Sequence, residues 1–334
     1  MATAGPQFEI DTDPDSVQHF RPRAESERFE GVAFSTSGDI IGAATANTNA
    51  VYLFRRKADG RFDETPYSAI KGAASRLDYP HDLSFSRSGE AELLAVALRR
   101  GSVLIYRRDK DTDAFGPEPV FRIAGWRARL SYSDGVAFVP SDDQYLAAAN
   151  LRRSTVTFYR RLSLSPVRFE IWPEFRLRHT SIYRPDGLAF SSDGEWLATA
   201  NHGNNSVTIF RRATGKTGKI MFGPDPTVVI RDPALSYPHS VAFTPETGHL
   251  VVTNAGANYF SVYAPTPNGE GRQWSQAPIV QQIVNSEDEF RAVNMENKME
   301  GGPKGIAIHR QSLAVCSPQI GLKIFSIRER PATA

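Results

Sequence analysis

Disulfide chemistry is all but absent from this chain, which carries one cysteine, Cys316, in 334 residues. A lone thiol can form neither an internal disulfide nor a CxxC zinc site, so a disulfide-framed secreted fold is excluded. No stretch approaches the ~18 apolar residues of a membrane-crossing helix, and no membrane partner is expected. The opening Met1-Ala-Thr-Ala-Gly-Pro-Gln lacks a basic segment followed by an apolar one. No signal peptide is therefore expected, and the expected location is cytoplasmic. Charge of one sign is missing as well: 39 Lys+Arg oppose 37 Asp+Glu. Such a balance creates no long-range field that would gather nucleic acid, and none is expected as a partner. Long helices have little room, because 22 Pro and 25 Gly are scattered along the chain. What is present suffices for a large core: 40% hydrophobic and 10% aromatic residues rule out wholesale disorder. The length alone allows two or three domains, or one large all-β domain.

An internal repeat decides between them. Similar phrases begin Gly31-Val-Ala-Phe, Asp82-Leu-Ser-Phe, Gly135-Val-Ala-Phe, Gly187-Leu-Ala-Phe, Ser240-Val-Ala-Phe and Gly305-Ile-Ala-Ile. Their starts lie 51, 53, 52, 53 and 65 residues apart, the extra length of the last falling in Ser286 to Gly302. Within the fourth copy, Gly187 to Ser191 reads as strand a, Ser192-Asp193-Gly194 as a tight turn, and Trp196 to Ala200 as strand b. Ser206 to Phe210 alternates as a half-buried strand c, and Pro226 to Ile230 supplies strand d. Four antiparallel strands in about 50 residues make one propeller blade. The expectation is an all-β, six-bladed β-propeller forming one domain over residues 1–334. The sixth copy runs out after its third strand, so the N-terminal segment Gln7 to Ile10 is expected to close blade six and remove an exposed edge.

In such a ring the residue just before each strand-a phrase recurs around one channel mouth. Those residues are Glu30, His81, Asp134, Asp186, His239 and Lys304, all ionisable. Six-fold geometry sets Glu30 opposite Asp186, His81 opposite His239, and Asp134 opposite Lys304. Carboxylates and imidazoles converging on an axis are ligands for divalent metals. They are also acid–base groups once close packing separates their pKa values. The ends of the b strands suggest a second ring, Asn47, Leu98, Asn150, Asn201, Asn254 and Ser317, whose amides could meet a ligand, with His202 overhanging the mouth. Tyr79, Tyr132, Tyr183 and Tyr237 precede the rim positions as candidate cup walls. A structural role competes for several of these: Asp or Asn before Gly commonly bonds its own turn, and Tyr-Pro-His suits blade packing.

The phrases Asp186-Gly-Leu-Ala-Phe-Ser-Ser-Asp-Gly-Glu-Trp-Leu-Ala-Thr-Ala-Asn and Leu250-Val-Val-Thr-Asn resemble YVTN and lactonase-like propeller repeats. Pro185-Asp186-Gly187-Leu188 is similar to strand starts of the six-bladed gluconolactonase/regucalcin family. The resemblance spans residues 27–327 at repeat level. It implies a divalent cation held by a Glu before the first strand a and by rim Asn/Asp residues, with another rim Asp as base. Glu30 matches that Glu, and Asp134 and Asp186 match rim positions, whereas His81, His239 and Lys304 depart from the pattern.

Together these point to a small polar molecule bound or turned over at the mouth, most concretely by metal-assisted hydrolysis of a lactone or ester. Glu30, Asp186 and His239 or His81 would hold one divalent cation (Ca, Mn or Zn). Asp134 or the remaining His would act as base, and Lys304 would stabilise developing negative charge. One alternative is a non-catalytic scaffold whose rim reads a protein partner. Another is a cofactor-free acid–base enzyme of secondary metabolism. Arg pairs ending four c strands (Arg55-Arg56, Arg107-Arg108, Arg160-Arg161, Arg211-Arg212) suggest a basic belt or simple protection of strand ends, and two further pairs, Arg99-Arg100 and Arg152-Arg153, lie in b–c loops. Cys316 reads as a small buried hydrophobe.

Overall fold

The computed structural model describes residues 7–23, 27–87, 92–140, 144–213, 219–268, 271–292, 299–318 and 320–330. Six antiparallel sheets follow one another in chain order, each starting from an inner strand a: Phe29–Phe34, Pro80–Phe85, Ser133–Phe138, Pro185–Phe190, Pro238–Phe243 and Ile306–His309. Each inner strand packs on the next, and the sixth returns to the first, closing a ring of blades.

The sequence builds each blade by alternation. In blade four, strand b (Trp196–Asn201) pairs with strand a on one side and strand c (Ser206–Arg211) on the other, and strand d (Val228–Ile230) lies outside. The Asp193-Gly194 turn works as the spacing predicts, with Gly194 at φ 72° and its N–H donating to Ser191. Strands b are buried on both faces, because each blade is covered by neighbours on either side. The core is accordingly divided into clusters between blades. Leu53, Leu83 and Leu94 pack between blades one and two, and Phe158, Leu188 and Phe222 between three and four.

Ring closure is more elaborate than the sequence suggested. Strand c of blade six (Gly321–Arg330) is ten residues long and accepts two partners. Gln7–Asp11 pairs with its far end, Phe8 facing Glu329 and Ile10 facing Ile327. The register that strand d occupies in the other blades is instead filled by Gln18–Phe20, against Ile324 to Leu322. A turn held by the Asp11 and Asp13 carboxylates separates the two. The extra residues before blade six include a short helix, Glu287–Phe290, with a Ser286/Glu289 capping box; residues 293–298 lie outside the described residues. Among the described residues, no helix is long and apolar enough to cross a membrane.

Candidate functional site: an ionisable cluster in the neck of the channel

The start of strand a is irregular in five blades: its register against strand b slips between Phe29 and Gly31, Pro80 and Asp82, Ser133 and Val136, Pro185 and Leu188, and Pro238 and Val241. Such a bulge re-aims a side chain, here that of the ionisable residue within it. The glycine that follows lets the strands crowd together. A Cβ on Gly135 would collide with the Asp186 carbonyl, and one on Gly187 with that of His239. Neighbouring inner strands therefore press together and narrow the mouth to a neck.

All six rim residues enter this neck and are buried, Lys304 being the most exposed at 6%. The imidazoles of His81 and His239, from opposite blades, stack with centroids 4.9 Å apart and planes 22° from parallel. Glu30 Oε2 lies 3.8 Å from His81 Nε2 and 3.6 Å from His239 Nε2. Asp186 Oδ2 is 3.7 Å from His239 Nε2, while Asp186 Oδ1 is 3.7 Å from His81 Nδ1. The third expected pairing is not made: Lys304 Nζ sits 2.9 Å from Glu30 Oε2 and 3.6 Å from Glu300. Asp134 is taken by Arg99, whose Nε and Nη2 reach its carboxylate at 3.3 and 3.5 Å.

Burial dominates the electrostatics. It drives the pKa values of His81 and His239 well below the usual imidazole value, helped by Arg99 and Lys304, so both rings are neutral at pH 7. Burial and the neighbouring Asp134 carboxylate raise Asp186 well above the carboxylate range. Burial brings Asp134 up to about 6 despite Arg99. For Lys304, burial opposes the charge, but Glu30 and Glu300 outweigh it and raise the pKa. Glu300 is held down at about 2, its own burial overcome by His202 and Lys304. Four carboxylates thus share the neck and its cover with two cations, Lys304 and Arg99.

The donor set fits a divalent cation. His81 Nδ1 lies 2.9 Å from the Asp134 carbonyl and, in a neutral ring, must be the protonated nitrogen there. Its Nε2 lone pair is left facing Glu30. Neither His81 Nε2 nor His239 Nε2 has a hydrogen-bond partner, and Asp186 Oδ1 lacks one too. Side-chain atoms of Glu30, His81 and His239 lie within 4.8 Å of one another. Ligands about 2.0–2.2 Å from a tetrahedral zinc stand roughly 3.3–3.6 Å apart, and Glu30 Oε2, at 3.8 and 3.6 Å from the two Nε2 atoms, is within a few tenths of an ångström of that spacing. Asp134, Asp186 and His81 form a second such group, but it would use the Nδ1 already bonded to the Asp134 carbonyl.

Several sequence-derived candidates fall elsewhere. Asn47 is exposed, two residues beyond the end of strand b; Thr45 holds the register its counterparts occupy. Asn150 and Asn254 are fully buried, but their amides stitch their own blades. Each side-chain oxygen accepts from the loop before strand a (Ser131 or Ser236 N–H), and each Nδ2 donates to strand c (Thr157 or Ser261). Asn201 Nδ2 likewise donates to Thr208. These are blade fasteners facing away from the neck. Tyr79, Tyr132 and Tyr237 share a left-handed backbone at the rim, where blade four places Arg184, leaving Tyr183 displaced and 51% exposed. Tyr237 covers His202 at 4.9 Å between ring centroids, and His202 bridges Asp186 (3.8 Å) and Glu300 (3.3 Å). The Arg pairs below are largely neutralised: Arg108 meets Glu92, Asp39 and Asp113, and Arg160 meets Glu170.

Sequence reasoning placed Arg99 in a b–c loop on the rim side without giving it a role there, and left Glu300 within an insertion. Both belong to the cover of the neck. The available signal for Glu300 was its place four residues before Lys304, the spacing at which the two now pair. Below the neck, opening toward the other face, lies a cavity of about 340 Å³ lined by the ends of the a strands, including Phe85, Phe138 and Phe243, with Asp82 within it. None of the six rim residues lines that cavity. The Asp82 carboxyl is pushed up to about 7 by burial.

Blade count, strand order and ring closure define a six-bladed β-propeller. No protein-family model matches the chain, and no curated protein sequence does. Solved structures do. One chain in the crystal structure of a mitotic checkpoint complex aligns with TM-score 0.58 at 15% identity, over 96% of this chain and 80% of that one. A protein of Bacteroides fragilis provisionally assigned as a 6-phosphogluconolactonase gives 0.57 at 16% identity, over 86% and 76%. The β-propeller domain of Myceliophteria thermophila Cps50 (Swd1) gives 0.55 at 13%, over 89% and 83%. At these identities the likeness is one of fold.

Proposed function

We propose that the neck is a divalent metal centre and that the protein hydrolyses a small lactone or ester there. The observation that carries this reading is the pair of stacked, neutral imidazoles whose unpaired Nε2 atoms face the Glu30 carboxylate in a buried cluster with an excess of negative charge. Buried charge without a partner is costly, and a doubly charged cation would balance it. Glu30, His81 and His239 would be the ligands, with Asp186 beside them. Two imidazoles favour zinc over manganese or calcium.

A cation held there would supply Lewis-acid polarisation of a carbonyl. The remaining steps belong to the chain. Asp134, pinned by Arg99, is the base that takes a proton from water. Lys304 stabilises the negative charge that forms on the substrate oxygen. His202, Tyr237 and Glu300 cover the approach and exclude bulk water. That provisionally assigned lactonases share the fold supports the reading. A scaffold role is the second reading, supported by propellers in assemblies.

The test is metal analysis of protein purified without added ions, then lactone and aryl-ester hydrolysis before and after chelation. We expect about one equivalent of transition metal, lost in Glu30→Gln, and hydrolysis that follows the metal. If no cation is retained, none raises Tm, and a Glu30→Gln/Asp186→Asn protein responds to cations as its parent does, the hydrolase reading falls. Capture of a protein partner that rim substitutions abolish would then favour the scaffold.

A further inference from the structure

Away from the channel, five arginines converge on the flank of blade three. Arg129, Arg152, Arg153, Arg176 and Arg178, with Thr155, line one cavity of about 270 Å³. They come from three separate elements. Arg129 follows the one-turn 3-10 helix Trp126–Ala128 leading into the blade, in a left-handed conformation at φ 59°. Arg152 and Arg153 lie in the 3-10 turn Leu151–Arg153 between strands b and c. Arg176 belongs to strand d (Phe175–Leu177), and Arg178 follows it.

Nothing in the described part of the chain neutralises them. No carboxylate of the described residues lies within 4.0 Å of any of the five guanidinium groups. The acids nearby in sequence are engaged elsewhere: Asp134 with Arg99, Glu170 with Arg160, and Glu174 with Lys219 and Tyr145. Arg129 Nε is buried with no hydrogen-bond partner. Aromatic faces hold some of the cations in place instead. Arg129 lies 5.0 Å from the Trp172 ring centroid and 6.0 Å from that of Trp126, and Arg152 lies 3.7 Å from that of Tyr132. Stacking of this kind orients a guanidinium without cancelling its charge. Five gathered around one cavity repel each other, four of them at exposed positions, and a bound anion would offset that repulsion.

We propose that this cavity binds an anion carrying two adjacent phosphoryl groups. Guanidinium forks match phosphoryl oxygens bidentately, and several forks suit a multiply charged ligand better than a single carboxylate. The volume falls below the roughly 300–1,000 Å³ of sites for drug-sized ligands, which suits the phosphates themselves rather than the whole of a large molecule. Trp126 and Trp172, 70% and 51% exposed, stand beside the opening as a platform for whatever bears them.

The probe is inorganic pyrophosphate, titrated calorimetrically into the full chain at low salt. Orthophosphate, a phosphoserine peptide and a short single-stranded oligonucleotide are titrated in parallel. Pyrophosphate should bind with one-to-one stoichiometry, tighter than orthophosphate, and raise Tm. Arg153→Gln/Arg178→Gln, at two exposed positions, should weaken it about tenfold or more, and Arg178→Lys should lose part of that by keeping charge without the fork. Arg55→Gln/Arg211→Gln, which removes two positive charges from the opposite face, should leave the affinity unchanged. The proposal is overturned if pyrophosphate fails to bind or if Arg55→Gln/Arg211→Gln weakens it as much as Arg153→Gln/Arg178→Gln does. It is equally overturned if the oligonucleotide or the phosphopeptide binds while pyrophosphate does not.

Discussion

Asp186→Asn should make the metal-free protein more stable, an outcome opposite to that of most core substitutions. Asp186 is 1% exposed, and its nearest side-chain nitrogens belong to three imidazoles at 3.7–3.8 Å. Its Oδ1 has no hydrogen bond. Keeping a buried polar group unpaired costs about 1–3 kcal/mol, and more when it is charged. Asparagine preserves the shape, cannot ionise, and offers an N–H to the unpaired His239 Nε2. We expect a gain of about 1–2 kcal/mol, which for a chain of this length is about 1.5–3 °C in Tm. The assay is a pair of melts, one in chelator and one with zinc or manganese. At a cation concentration of about a hundred times Kd the parent should gain ~2.7 kcal/mol, and the variant should gain far less. A variant that melts below the parent in chelator, or that keeps the full cation response, refutes the view of Asp186 as a charge kept for a ligand.

Phe20, 5% exposed between blades six and one, should cost about 3–5 kcal/mol as Phe20→Ala in urea melts. Deleting residues 1–12 should cost less, because Gln18–Phe20 would still fill the strand-d register; equal losses would contradict the two-part closure. Asp39 is partly buried, which opposes its charge, yet hydrogen bonds from Ser37, Ser35 and Arg108 hold its carboxyl down at about 2. A depressed pKa stabilises above the unfolded value and loses that contribution as pH falls through the folded one. The stability gap between parent and Asp39→Asn should therefore persist above pH ~4 and close toward pH 2, remaining below about 1 kcal/mol because the side chain is 47% exposed.

The repeat made the blades legible, since strand alternation and Asp-Gly turns are local properties. It also made the six rim residues legible, because register around a ring carries over from copy to copy. What it could not convey was depth. Nothing local to Tyr-Pro-His shows that His81 and His239 would reach across the axis and stack. The asparagines ending strands b were misread for a related reason: their partners, Ser131 and Thr157 for Asn150, lie in other elements and become visible only once the blade is assembled. Arg99 and Glu300 sit in a loop and an insertion, where register stops and chain path decides.

The two-part closure of blade six also sets a timetable. Residues 7–20 find their partner only when residues 321–330 leave the ribosome, some three hundred residues later. At about 5–20 residues per second that wait is on the order of 15–60 s. Through it the strand Gln7–Asp11 has no sheet to join while five blades form behind it. Glu9 and Asp11 alternate along that strand and give it the charge that discourages pairing with a stranger. Until then the blades form an open arc, and the opposing residues of the neck come into register only when residues 7–20 are gathered in by residues 321–330.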